Sequence, residues 1–211
     1  EVVKGGRRDA VQVLANGGIA TAIAALHGLR PDLALFPAFA GAIAAATADT
    51  WATEVGLLSR AAPRLITTGR RMPPGTSGGV TPLGTAAAVA GGVFIGALAA
   101  ALVLLGWAVS SYSLGDVVPA ASAAPRAYAG GALRIALATS AAALLAALFD
   151  SLLGATVQAA YRCPRCDKPT ERRVHRCGAR TMRTRGLAWI TNDAVNLAAT
   201  AAGAAVGWWV G

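Results

Sequence analysis

Residues 44–56 read AAATADTWATEVG, with two carboxylates and three threonines inside an otherwise apolar region. At about 100° per residue, Asp49, Thr53, Thr50, Glu54 and Thr47 fall within roughly 160° of one another on a helix. Ala44, Ala45, Ala48 and Ala52 lie mostly on the remaining arc. An ionisable side chain at the centre of a bilayer costs about 2.5–3.5 kcal/mol even on a mild scale. If this helix crosses a membrane, its acidic face must therefore turn toward other helices or water.

The surrounding composition says that it does cross one. The chain has 211 residues, 55% of them hydrophobic and only 14% charged. Its mean hydropathy is +0.53. Glycine and other small residues are abundant, as in helices that pack closely within lipid. The expected fold is all-α, a polytopic transmembrane bundle in contact with the lipid bilayer. It forms one integral-membrane domain over residues 1–211.

Helices are expected at roughly 9–29, 33–58, 81–107, 128–161 and 186–210. Lys and Arg outside these spans number 3, 1, 4, 1 and 9 in successive connections. That alternation fits five crossings with the basic segments cytoplasmic, as in a bacterial inner membrane. It also accounts for the net charge of +9 without a nucleic-acid partner, for which no motif is present. Under this topology Asp49, Glu54, Asp150 and Asp193 reach one side of the membrane. Asp150, Ser151, Gly154 and Gln158 share a helix face, as do Asn192, Asp193 and Asn196.

Four carboxylates at one depth repel unless cations or protons intervene. Mg²⁺ uses carboxylate and phosphate oxygens together, so Asp49, Asp150 and Asp193 are its candidate ligands, with Glu54 a further catalytic candidate. The loop 69–79, GRRMPPGTSGG, runs into the third helix at Thr81. Its Gly75, Thr76, Ser77, Gly78 and Gly79 allow close backbone approach to phosphate, and Arg70 and Arg71 add cationic donors. It also reads as a plain connector. The amides Gln12, Asn16, Gln158, Asn192 and Asn196 read as substrate-orienting groups or as interhelical hydrogen bonds. The hydroxyls Thr50, Thr53 and Ser151 join them on the polar faces.

The basic loop 162–185 contains Cys163-x2-Cys166 and His175-x-Cys177. Three thiolates and an imidazole suit a structural Zn²⁺ ion. The same residues also read as unligated thiols or as a redox pair; a cytoplasmic loop disfavours disulfides.

Several segments together resemble the phytyl-phosphate kinase family of membrane proteins. They are RRDAVQVLANGG (7–18), AATADTWATEVG (45–56), PPGTSGGVTPLG (73–84), FDSLLGATVQ (149–158), HRCG (175–178) and RG-x-x-W-x-x-NDAVN (185–196). The resemblance implies transfer of phosphate from a nucleoside triphosphate, CTP by analogy with polyprenol kinases, to an isoprenoid monophosphate in tocopherol salvage. It implies that Arg7, Arg8, Arg70, Arg71 and the glycine-rich loop hold phosphates while carboxylates hold Mg²⁺. Such proteins usually carry hydrophobic sequence ahead of RRDAVQVLANGG, so upstream helices are expected. The alternatives are a CTP-dependent cytidylyltransferase making a CDP-lipid, an ion-coupled transporter and a purely structural membrane protein. Both a monomer and a homo-oligomer remain compatible with the sequence.

Overall fold

A computed structural model describes residues 9–114 and 125–211, with side chains of 107, 109–114 and 125–128 excepted. Five long helices make the body: α1 (Ala10–Leu29), α2 (Leu35–Gly56), α3 (Pro82–Leu114), α4 (Pro125–Thr156) and α5 (Asn192–Val210). Among the described residues, three stretches, Ala10–Leu29, Pro82–Gly106 and Ala129–Thr156, are long and apolar enough to cross a membrane. At about 1.5 Å per residue, α2 and α5 reach about 33 Å and 28 Å, close to a hydrocarbon core. They fall outside that group because they carry the polar faces.

Helix α2 touches all four of the others. Its small residues explain how. Ala44 and Ala48 join Ala88 of α3 and Ala143 and Ala147 of α4 in one buried cluster. Ala38 and Ala42 join Ala20 of α1 and Ala204 of α5 in another. Large apolar side chains instead face outward, among them Val93, Phe94, Leu98, Leu133, Leu137 and Leu145. A water-soluble fold hides such groups; a bilayer accepts them and leaves small residues to bring backbones together.

The closest approach lies between α2 and α5. A Cβ on Gly203 would meet the Gly41 carbonyl oxygen at 2.7 Å, and one on Gly207 would meet that of Pro37 at 2.3 Å. These contacts fit Gly203-x3-Gly207 as a helix-packing pair. We predict that Gly203→Leu lowers stability in detergent by about 1–3 kcal/mol, the range for overpacking. Gly17→Ala is the control, because nothing lies within 4 Å of a Cβ there. Equal thermal midpoints for the two variants would overturn this account of the α2–α5 contact.

Helix ends follow local chemistry. Asp9 caps α1 by accepting from the Gln12 amide at 2.9 Å. Thr81 caps α3, its Oγ1 accepting from the Gly84 amide at 3.0 Å, with Pro82 in the first turn. Thr191 caps α5 by accepting from the Ala194 amide at 3.3 Å.

Three expected boundaries are corrected, the first being the end of the third helix, at Leu114 rather than 107. The fourth helix ends at Thr156, not near 161, and the fifth starts at Asn192, not 186. The apolar pattern continues to Tyr161 because Ala159 and Tyr161 are buried beyond the helix. Tyr161 lies in strand β3 (Ala160–Arg162), which is central in a three-stranded sheet with β4 (Pro169–Thr170) and β5 (Met182–Arg185). Gly186 has φ 74°, and a Cβ there would stand 2.0 Å from the Gln158 carbonyl oxygen. The chain therefore turns at Gly186 rather than entering a helix, and exposed Trp189 falls in the connector before α5. The segment 59–80 is also more ordered than a plain connector. Strands β1 (Arg64–Leu65) and β2 (Gly79–Val80) pair antiparallel within it.

Candidate functional site

A cleft of about 1140 Å³, part of it open to solvent, lies where the C-terminal halves of α2 and α4 meet the N-termini of α3 and α5. Asp49 and Thr53 reach it from α2, Asp150 and Ser151 from α4, and Asn192 from α5. Gly75, Thr76, Ser77, Gly78 and Gly79 form another wall, followed by Thr81, Gly84 and Thr85. The N-terminus of α3, capped by Thr81, thus borders the same space as two aspartates, and its dipole favours negative charge there. Leu57, Ala88, Leu144, Ala147 and Leu148 supply an apolar side.

Close backbone packing brings these walls together. A Cβ on Gly84 would stand 2.9 Å from the Ala52 carbonyl oxygen, and Gly56 and Gly84 approach at the same crossing. Gly78 lies directly on α4: a Cβ there would be 2.4 Å from the Ala155 nitrogen. The guanidinium of Arg185 fastens this junction. It donates to the carbonyls of Gly154 at 2.7 Å, Ala155 at 2.8 Å and Ser77 at 3.4 Å. It thereby satisfies carbonyls left open at the end of α4. Its burial lowers the Arg185 pKa.

Glu171 is a cleft residue that the helical patterns did not single out. It lies just after β4 and accepts a hydrogen bond from Ser77 Oγ. Gln158 Nε2 donates to Glu171 Oε1 at 3.1 Å and to Ser77 Oγ at 3.2 Å. The sequence did carry a faint signal. Residues 162–185 contain two acids, and the other, Asp167, is paired with Arg162 at 2.5 Å.

Asn196 is buried beneath the cleft. With its amide nitrogen turned toward α4, it donates to Asp150 Oδ2 at 3.1 Å and to the Asn192 carbonyl at 3.2 Å. It therefore orients a carboxylate rather than lining the space itself.

Other sequence candidates stand elsewhere. Glu54 is exposed and outside the cleft lining, as are Arg70 and Arg71 on the β-hairpin. Thr50 is half-buried and also outside it. Asp193 follows the lining residue Asn192 and interacts electrostatically with Asp9 and Glu171. The Asn16 amide donates to the Gln12 carbonyl at 2.9 Å, within α1. Neither Gln12 nor Asn16 lines the cleft. Arg7 and Arg8 lie outside the described residues.

Beside the cleft, one ligand atom each from Cys163, Cys166, His175 and Cys177 lies within 4.8 Å of the others. The hydrogen bond from His175 pulls the Cys177 thiol down to about 6. The hydrogen bond with Cys177, followed by desolvation, pushes the Cys166 thiol up to about 11.

A sequence model of the family described as "Integral membrane protein DUF92" matches residues 1–204. Protein PGR of Arabidopsis thaliana is 32% identical over 210 residues, covering 93% of this chain and 66% of its own length. An uncharacterised membrane protein of Methanocaldococcus jannaschii is 44% identical over 89 residues, 42% of this chain and 37% of its own. The chain thus spans less than two-thirds of the length of either relative. No solved structure matches it. Matched by the family model from its first residue to Ala204, the chain belongs to the DUF92 family of integral membrane proteins, in keeping with the resemblance its motifs carry.

Proposed function

We propose that the cleft binds a Mg²⁺–nucleoside triphosphate, CTP by the family resemblance, and passes its terminal phosphoryl group to an isoprenoid monophosphate. The observation that carries this reading is the meeting of Asp49 and Asp150 with Gly75–Gly79 and the α3 N-terminus around one space. Oxygen donors on one side and amide-rich backbone on the other suit a metal-bound polyphosphate.

The donor set fits Mg²⁺, a hard ion that takes carboxylate and phosphate oxygens. Asp49 and Asp150 would hold it, and Asp193 stands next in line beside Asn192. When bound, the ion neutralises charge on the phosphate oxygens. The chain's own groups do the rest. Asn196 fixes the Asp150 carboxylate. The glycine-rich loop and Thr81–Thr85 receive phosphate oxygens. Leu144, Ala147 and Leu148 give the isoprenoid tail an apolar wall on the lipid side.

In the transfer, a phosphate oxygen of the acceptor forms a bond to the terminal phosphorus while the bond to the nucleoside diphosphate breaks. The acceptor phosphate is already ionised near neutral pH, so no strong general base is required. Positioning and charge stabilisation supply most of the catalysis in such reactions.

Purified protein in lipid nanodiscs, given phytyl or geranylgeranyl phosphate, CTP or ATP, and Mg²⁺ or chelator, tests the proposal. The expected products are isoprenyl diphosphate and a nucleoside diphosphate, formed only with Mg²⁺. Release of pyrophosphate with a CDP-lipid product would replace this reading by a cytidylyltransferase. No turnover with any of these pairs would overturn it.

A further inference from the structure

The segment between α4 and α5 has almost no apolar interior. Within residues 160–185, Tyr161 and Cys163 are the buried side chains. The sheet there consists of strands of three, two and four residues. Such short strands are marginal by themselves. Charge opposes compaction as well, with nine Lys and Arg against Asp167 and Glu171 in 162–185. Yet this segment delivers Glu171 to Ser77 and Gln158, and Arg185 to the end of α4. Something other than a hydrophobic core must hold it.

The four ligand residues sit where a cross-link would do so. Cys163 follows β3, and Cys166 stands in the tight β3–β4 turn, where Asp167 donates its amide to the Cys163 carbonyl at 2.9 Å. Asp167 takes φ 51° to close that turn. His175 and Cys177 occupy a second tight turn, where Gly178 has φ 80° and donates to the His175 carbonyl at 2.9 Å. The two turns face each other with Cys163 Sγ 3.6 Å from Cys177 Sγ, and His175 Nδ1 3.1 Å from the same sulfur.

A disulfide needs sulfurs about 2.05 Å apart. A tetrahedral zinc site, with Zn–S about 2.3 Å and Zn–N about 2.0 Å, sets edges of about 3.8 Å between sulfurs and about 3.5 Å between sulfur and nitrogen. Those two separations lie within a few tenths of an ångström of the edges, and all four ligand atoms lie within 4.8 Å of one another. All four positions are filled by protein groups, so the site is closed and structural rather than catalytic.

We propose that Cys163, Cys166, His175 and Cys177 bind one Zn²⁺, which holds the segment as a clamp carrying Glu171 and Arg185 against the glycine-rich loop. Because the segment lacks a core, metal binding supplies its folding free energy. The clamp meets the cleft wall at Ser77, Gln158, Gly154 and Ala155, so loss of metal should loosen residues 75–79 without unfolding the helices. This inference stands independently of the reaction proposed above.

Elemental analysis of the full chain in nanodiscs, purified with zinc supplied and free metal removed, tests the metal. About one zinc per chain is expected for the wild type and for His175→Cys, which keeps four ligands. Cys166→Ala should lose most of it. Cobalt-loaded wild type should show thiolate charge-transfer and tetrahedral d–d bands, shifted in His175→Cys. Zinc no higher in the wild type than in Cys166→Ala, or iron in its place, would overturn the site. Hydrogen exchange then tests the clamp on the same wild-type sample. Residues 75–79 should exchange at least several-fold faster after chelation while α2 and α4 stay protected. Unchanged exchange at 75–79 in zinc-free protein would overturn the clamp.

Discussion

Asp150→Asn is expected to reduce nucleotide-dependent transfer by about 10²–10³-fold, the scale of losing one preorganised charge-stabilising group. Asparagine keeps the shape and still has an oxygen to accept from Asn196. What it removes is the negative charge that would hold Mg²⁺ on the nucleotide phosphates. The expected loss is therefore in turnover and in metal dependence, with helical content and elution volume unchanged. Asp49→Asn should behave the same way from the opposite wall of the cleft. The double variant should lose little more than either single one, because ligands of one metal act as a unit. Glu54→Gln is the internal comparison, since that residue is exposed outside the cleft. It should stay within a few-fold of wild type. Turnover rates against Mg²⁺ concentration distinguish the cases. Asp150→Asn within threefold of wild type at every Mg²⁺ level would remove that residue from the site.

The contrast between Asp150 and Glu171 shows what a sequence of this kind makes legible. Asp49 and Asp150 stand out because they interrupt apolar helices, where lipid makes charge costly. The alternation of basic connections predicts their helix ends on one side. The cleft between α2 and α4 brings Asp49 and Asp150 to one space. Glu171 lies in a polar loop, where an acid is unremarked, and its meeting with Ser77 depends on how two loops fold onto the α4 terminus. No periodicity reports that.

The helix ends near Tyr161 and Gly186 are illegible in the sequence for a related reason. Hydropathy shows that Ala159 and Tyr161 are hidden, not whether a helix or a strand hides them. The deciding features are Gly186, whose left-handed φ a helix cannot use, and the Thr191 cap. Both are visible in the sequence, but in a Gly-rich chain one glycine marks a turn only when its neighbours are known. Arg70 and Arg71 show the limit of adjacency. Adjacency in sequence suggests one site with the glycine-rich loop, yet Arg71 bridges Arg64 and both arginines stand exposed, outside the cleft lining.

Gly78→Ala should be the most damaging single methyl addition in the cleft wall. Gly78 has φ 79°, where a side chain costs about 1–2 kcal/mol. That cost is shared with Gly69 at φ 67°, where a Cβ would find open space. The difference lies in what each Cβ would strike. At Gly78 it would stand 2.4 Å from the Ala155 nitrogen, 2.5 Å from its Cα and 2.6 Å from its Cβ. All three belong to the last turn of α4, which Arg185 holds through the Gly154 and Ala155 carbonyls. The helix cannot give way cheaply, so the loop must lift. Lifting it separates Ser77 from Glu171 and Gln158, and withdraws Gly75–Gly79 from the position where phosphate would meet their amides. Gly78→Ala is therefore expected to cut turnover at least about 10²-fold, comparable to losing an anion-stabilising donor. Gly69→Ala should cost stability by about 1–2 kcal/mol from the backbone strain alone, with turnover within about threefold of wild type. Thermal midpoints and transfer rates for the pair, measured in the same nanodiscs, separate strain from collision. If both variants lose the same stability and the same activity, the contact between Gly78 and α4 is not what shapes the cleft.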